Sequence, residues 1–209
     1  PLAAPSANRS GSPSPTTARD TLADMDGRIP LILDGGASSI GLESTVLSLA
    51  GEVPVVLRPG GVTVEMLREA IGDVRVHESA LHPLAEGASA PSPGMKYRHY
   101  APRAGIVLFS GAEDRVCAAL CARYDAEHAK NPVILCFEEE IPFLGTRAAR
   151  VWGRRADPAE LAGHLFSALR ALDEEGFGLI LCPTVETRGI GLAVMNRLCR
   201  AAGFHIEEV

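Results

Sequence analysis

Residues 157–182 read "DPAELAGHLFSALRALDEEGFGLILC". Leu161, Leu165, Leu169 and Leu172 recur at helical spacing and predict one buried stripe. Asp157 suits the N-cap, Pro158 the first helical position, and Glu160 completes a capping-box pattern. Gly176 stops the helix, and "GLILC" follows as a short, continuously apolar strand. A helix that feeds directly into a strand apolar on both faces is the unit of a helix-covered parallel sheet.

The alternation extends both ways. Upstream, "AGIVLFSG" (104–111), "PVILCF" (132–137) and "AARVWG" (148–153) read as strands. Ser110 is the expected cap of a helix running to about Lys130. Downstream, "LAVMNRLCRAAG" (192–203) is the last helix. Residues 105–209 therefore read as a doubly wound, Rossmann-like parallel α/β domain. "RGIGLAVMNRL" (188–198) is not a dinucleotide fingerprint, because its glycine spacing is incomplete and a loop parts it from its strand. His164 has no metal-ligand partner at useful spacing and reads as a packing residue. Helix-surface or interdomain roles suffice for Asn196 and Arg197.

Before this domain, hydrophobic periodicity vanishes in "ASAPSPGMKYRHYAPRAG" (88–105), so residues 85–104 form a linker. Its cations, tyrosines and histidine are denser than a simple spacer needs; they suit a segment that covers a ligand, the alternative being a linker docked onto a domain through its aromatics. Residues 1–84 form a different α+β piece. Ser14-Pro15 suggests a helix start, with the helix ending near Met25. "IPLILDGG" (29–36) predicts a strand, and "STVLSLAGEVPVVLRPGG" (44–61) a hairpin turning at Gly51-Glu52. "TVEMLREAIG" (63–72) predicts a helix and "VRVH" (74–77) a last strand. The opening "PLAAPSANRSGSPSPTT" (1–17) places Ser6, Asn8, Ser10 and Ser14 among glycine and prolines. Such a loop can present donors to a phosphate, or be an ordinary coil with an N-cap. Arg58 ends an apolar strand beside glycines that leave room for a ligand, where a cation could hold phosphate, although a surface arginine is the default reading.

The bulk numbers exclude several classes. A net charge of −6 over 209 residues argues against a nucleic-acid coat, though not against a local basic site. No apolar run is long enough to cross a membrane. Five cysteines, none in a C-x-x-C pair, indicate neither a disulfide framework nor a zinc site, and a reducing cytoplasm is the expected location. Cys117 and Cys121, one helical turn apart, fit a buried helix face.

In order, "APSANRSGSPSPTT", "LILDGG…GLESTV", "LRPGG" and "GMKYRHYAP" resemble the YrdC-like threonylcarbamoyl-AMP synthases. The ending "GIGLAVMNRLCRAAG" resembles the extra C-terminal domain of their two-domain form. The resemblance implies that residues 1–84 are the C-terminal part of a twisted, open YrdC-like α/β sheet domain. It also implies that the first half of that domain has no counterpart here and that this chain by itself is inactive. The implied activity is a nucleotidyl transfer. L-Threonine, bicarbonate and ATP give threonylcarbamoyl-AMP and pyrophosphate, for threonylcarbamoyladenosine at tRNA position 37.

By the same resemblance, Ser6, Ser14, Arg58 and Tyr97 match ATP-binding positions, and Ala4 and Ser44 match positions lining the threonine site. Asn8, Lys96 and Tyr100 are supporting residues, with no protein metal ligand and no side-chain acid or base. Mg²⁺ is expected on the ATP phosphates. The linker is expected to act as a lid that excludes water from a labile carbamate and adenylate. The expected partners are the tRNA threonylcarbamoyl-transfer machinery and, as a further candidate, tRNA. The alternatives are a carbamoyl-adenylating hydrogenase-maturation domain and a non-catalytic RNA-binding or regulatory module.

Overall fold

The computed structural model describes residues 5–9, 11–83 and 102–209. Within them lie two sheets, one of three strands and one of five.

The larger sheet is built as its sequence predicts. Strands β4 (Gly105–Ser110), β5 (Pro132–Phe137), β6 (Ala149–Gly153) and β7 (Leu179–Pro183) are joined by β8 (Ile206–Glu208), which the sequence reading did not anticipate. The order is β6-β5-β7-β4-β8 and every pairing is parallel. Successive strand residues alternate between the faces. Ile106 and Leu108 pack with Leu161, Leu165, Leu169 and Leu172 of α5 (Pro158–Glu174) and with α6 (Gly191–Ala201). Val107 and Phe109 pack on the other face against Val116 and Leu120 of α3 (Glu113–Ala126) and Leu144 of the short α4 (Ile141–Leu144). With helices on both faces, the inner strands β4, β5 and β7 are almost wholly apolar, while β6 and β8 at the sheet edges expose Arg150 and Glu208.

Two caps differ from expectation. Asp157 does cap α5, accepting from the Glu160 amide at 3.0 Å, but the Glu160 carboxylate takes the Arg154 amide at 2.9 Å instead of closing a box. Ser110 stays in β4; the N-cap of α3 is Ala112, which makes no side-chain capping bond. That helix ends at Ala126, and a 3₁₀ turn follows over His128–Lys130.

The smaller sheet pairs β1 (Val46–Ser48) antiparallel to β2 (Val55–Arg58) as a hairpin, with β3 (Arg75–Val76) parallel to β2 after α2 (Val64–Ile71). Val56, Val64 and Val74 form its core, and the fourth buried member, Leu192, comes from α6 of the other unit. The first helix, α1 (Ala18–Met25), begins later than Ser14-Pro15 suggests. Thr17 caps it, because the Thr17 hydroxyl accepts from the Asp20 amide at 3.2 Å and the Asp20 carboxylate accepts from the Thr17 amide at 3.1 Å. That reciprocal box satisfies two terminal donors at once, whereas Ser14 is committed elsewhere. The strand expected over 29–36 does not form, and Leu31 and Leu33 stand 69% and 86% exposed. Among the described residues they have no ladder partner, and a strand without one gains nothing for its backbone groups. The linker segment lies almost wholly outside the described residues.

Candidate functional site

Three stretches meet: the opening loop at 11–17, the segment 41–45 that leads into β1, and the end of β2 at Arg58-Pro59-Gly60. Their contact depends on glycine. A Cβ on Gly60 would lie 2.4 Å from the Thr45 nitrogen and 2.5 Å from the Glu43 carbonyl oxygen, so only glycine lets the turn close on the segment. Gly41, at φ +77°, lies so close to α5 that a Cβ would meet the Ala162 carbonyl oxygen at 2.5 Å.

Two of the singled-out residues are brought into direct contact. Arg58 donates through Nε to the Ser44 carbonyl oxygen at 3.1 Å and through Nη2 to the Ser44 hydroxyl at 3.3 Å. Ser14, buried, donates its hydroxyl to the Glu43 carboxylate, one residue before Ser44. Asn8 shapes its own loop, with Nδ2 donating to the Arg9 and Ser12 carbonyls at 2.9 and 3.1 Å. Ser6 is exposed. Ala4, Lys96, Tyr97 and Tyr100, like Ser10 of the opening motif, lie outside the described residues.

Arginines of the larger unit hold these loops, and sequence reasoning gave them no site role. Arg170 of α5 reaches the Asp24 carboxylate at 2.7 Å and also donates to the Pro13 carbonyl. Its hydrogen bond holds the Asp24 carboxyl below the usual carboxylate range. The Arg9 amide also donates to Asp24, at 3.3 Å. Arg197 of α6, fully buried, pairs with Glu43 at 2.9 Å. A signal was present: Arg197 has Ala193, Val194 and Ala201 at i−4, i−3 and i+4, the surroundings of a buried position. Glu43 and Asp24 had none, since a carboxylate in a loop or in the last turn of a short helix looks solvated until its partner is known.

A cavity of about 390 Å³ opens beside the start of α1, lined by Thr16, Thr17, Asp34, Gly35, Gly36 and Ser38. It brings the glycine turn of "LILDGG" next to the opening loop. A second concavity, about 350 Å³, lies at the carboxyl ends of the parallel strands around Glu140 and Arg155. Burial pushes the Glu140 carboxyl up despite Arg155 at 2.6 Å; Cys117 lines that hollow, but none of the described residues matched to ATP or threonine positions does. Among the described residues, no group of three or more His, Cys, Asp or Glu is placed to hold a metal ion. Cys136, Cys182 and Cys199 are buried free thiols, while Cys117 and Cys121 are half-buried on α3. His164, on the surface of α5, brings Nδ1 within 3.0 Å of the Trp152 carbonyl.

Fold and cluster together define an α/β protein whose polar loops, carried by a small mixed sheet, are clamped by the helices of a Rossmann-like parallel domain. The family described as threonylcarbamoyl-AMP synthase, C-terminal domain, matches residues 62–203, and the family described as telomere recombination matches residues 1–60. Over the whole chain it is 42% identical to a threonylcarbamoyl-AMP synthase of Pyrococcus abyssi, of which it spans 60%. It is 43% identical, over 97% of its length, to a synthase of Bacillus subtilis, of which it spans 57%. The crystal structure of P. abyssi Sua5 complexed with L-threonine superposes at a TM-score of 0.84 and 40% identity, covering 98% of this chain and 58% of that one. The chain belongs to the threonylcarbamoyl-AMP synthase family. These relatives favour that resemblance over a hydrogenase-maturation or RNA-binding module. The chain spans little more than half the length of the relatives it matches.

Proposed function

We propose that this chain supplies one wall of the ATP and threonine site of an L-threonylcarbamoyl-AMP synthase, a nucleotidyltransferase. The observation that carries the reading is the bonding of Arg58 to Ser44, beside the loop that bears Ser14. In the proposed reaction the threonine amine takes up bicarbonate, losing water, to give an N-carboxylate. A carboxylate oxygen of that group then attacks the α-phosphorus of ATP, and pyrophosphate leaves. No side chain needs to form a bond. Catalysis then rests on alignment and on neutralising charge.

Each residue has a part in this proposal. Arg58 offsets phosphate charge while keeping Ser44 turned towards the threonine, together with Ala4. Ser6 and Ser14 offer hydroxyls to the nucleotide, and Asn8 keeps their loop in shape. Tyr97, with Lys96 and Tyr100, closes over the ATP. Mg²⁺ belongs with the ATP phosphates, because Glu43, the carboxylate inside the cluster, is already held by Ser14 and Arg197. No step is assigned to it. The product passes to the tRNA threonylcarbamoyl-transfer machinery. Five free cysteines suit a reducing cytoplasm, and no helix among the described residues is long and apolar enough to cross a membrane.

The test is threonine- and bicarbonate-dependent release of pyrophosphate from ATP, measured on the complete protein in which the chain occurs. Arg58→Ala is expected to lower kcat/KM for ATP by about 10- to 100-fold, the loss of one charge-assisted contact or two. An unchanged value overturns the reading. The 209-residue chain alone is expected to show no turnover.

A further inference from the structure

Glu43 stands where the two units join. One carboxylate oxygen accepts from the Ser14 hydroxyl; the other accepts from Arg197 Nε at 2.9 Å. The same guanidinium donates through Nη2 to the Glu43 carbonyl at 3.2 Å, and through Nη1 to the Pro59 carbonyl and to Asn196 Oδ1 at 3.1 Å. Glu43 is the neighbour of Ser44, and Pro59 is the neighbour of Arg58. One planar, fully buried group therefore grips the chain on both sides of the Arg58–Ser44 contact.

Helix α6 is built for that grip. All of its residues are buried, and two further side chains bind the smaller unit. Asn196 Nδ2 donates to the Ala80 carbonyl at 2.5 Å, and Arg200 Nη2 to the Ser79 carbonyl at 2.8 Å. Leu192 completes the smaller unit's core. A buried arginine is a costly way to join two units, since the guanidinium must leave water and apolar residues of similar volume often hold as well. What it offers in return is directional hydrogen bonding that fixes relative positions.

We propose that Arg197, acting through Glu43 and Pro59, is the positioning residue that sets Ser14, Ser44 and Arg58 in register for ATP and threonine. The parallel domain is then part of the substrate site through α6, not an appendage to it. This rests on the assignment of Ser14, Ser44 and Arg58 made above.

The experiment measures steady-state kinetics and melting of Arg197→Lys, Glu43→Gln and Arg58→Ala in the complete protein. Lysine keeps the charge opposite Glu43 but lacks the fork that spans to Pro59. Arg197→Lys is expected to raise the KM values for ATP and threonine together by about tenfold in protein that remains folded, with a smaller change in kcat. Glu43→Gln should do the same, and adding Ser14→Ala to it should cost less than Ser14→Ala alone, because the two act through one contact. Parental KM values in folded Arg197→Lys overturn the inference if Arg58→Ala is impaired. If Arg58→Ala is also unimpaired, the site assignment itself falls. Should Arg197→Lys fail to fold, Glu43→Gln decides alone: parental KM values there overturn the inference.

Discussion

Residues 105–209 and residues 5–83 carry apolar side chains in similar local patterns, yet the two regions end in different states. In the first, Leu161, Leu165, Leu169 and Leu172 are all fully buried, and β4, β5 and β7 are apolar and covered on both faces. In the second, Leu31, Leu33 and Leu49 are mostly exposed, and the core is three valines with a leucine from α6. Apolar patterning becomes structure only where a partner surface lies within reach. The parallel domain contains its own partners. The smaller unit takes part of its core and its charged anchors from α5 and α6.

The largest test of this contrast is Leu165→Ala. It should cost about 3 kcal/mol through lost burial and the cavity left behind, read from urea unfolding. If the smaller unit depends on the larger, amides in β1 and β2 should lose exchange protection along with those of β5 and β7. Retained protection in β2 would break the comparison.

A middle-sized effect is expected at the α1–α5 tether. Arg170→Ala removes charge-assisted bonds to Asp24 and Pro13 and should cost about 2 kcal/mol near neutral pH. Asp24 has a folded pKa lowered from 3.8, so its contribution is present above that value and is lost as pH falls through the lowered one. The gap in urea midpoint between parent and Arg170→Ala should therefore narrow from about pH 6 to about pH 2.5. A constant gap would show that the tether does not act through the ionised Asp24.

The smallest effect belongs to Leu33→Ser. At 86% exposure it should change the stability of the 209-residue chain by less than about 0.5 kcal/mol. A larger loss in the complete protein than in this chain would show that the segment 29–36 is covered there, which would sharpen the contrast.

How much was readable before the fold follows from where each element finds its partners. The helix at 158–174, its Asp157 cap and its leucine stripe are visible because all the determinants lie within 20 residues. The hairpin ending at Arg58 and the helix stopped by Gly72 were visible for the same reason. Ser14 before Pro15 is an acceptable cap by local chemistry. Thr17 takes the role because Asp20 completes its box, while the Ser14 hydroxyl goes to Glu43, 29 residues away. Strand β8 escaped notice because its three residues, Ile206–Glu208, carry two glutamates, and its place at the sheet edge comes from pairing with β4.

Periodicity, caps and turn residues thus sufficed for most of the parallel domain and for the hairpin, whereas the candidate substrate contacts came from the family resemblance. Such local signals act over a few residues, so a single chain displays them. Which carboxylate meets which arginine, and that α6 closes the smaller unit's core, waited for the packed molecule. Arg197 lies 154 residues from Glu43, and a buried ion pair carries no local signature of its partner until desolvation forces the charges together.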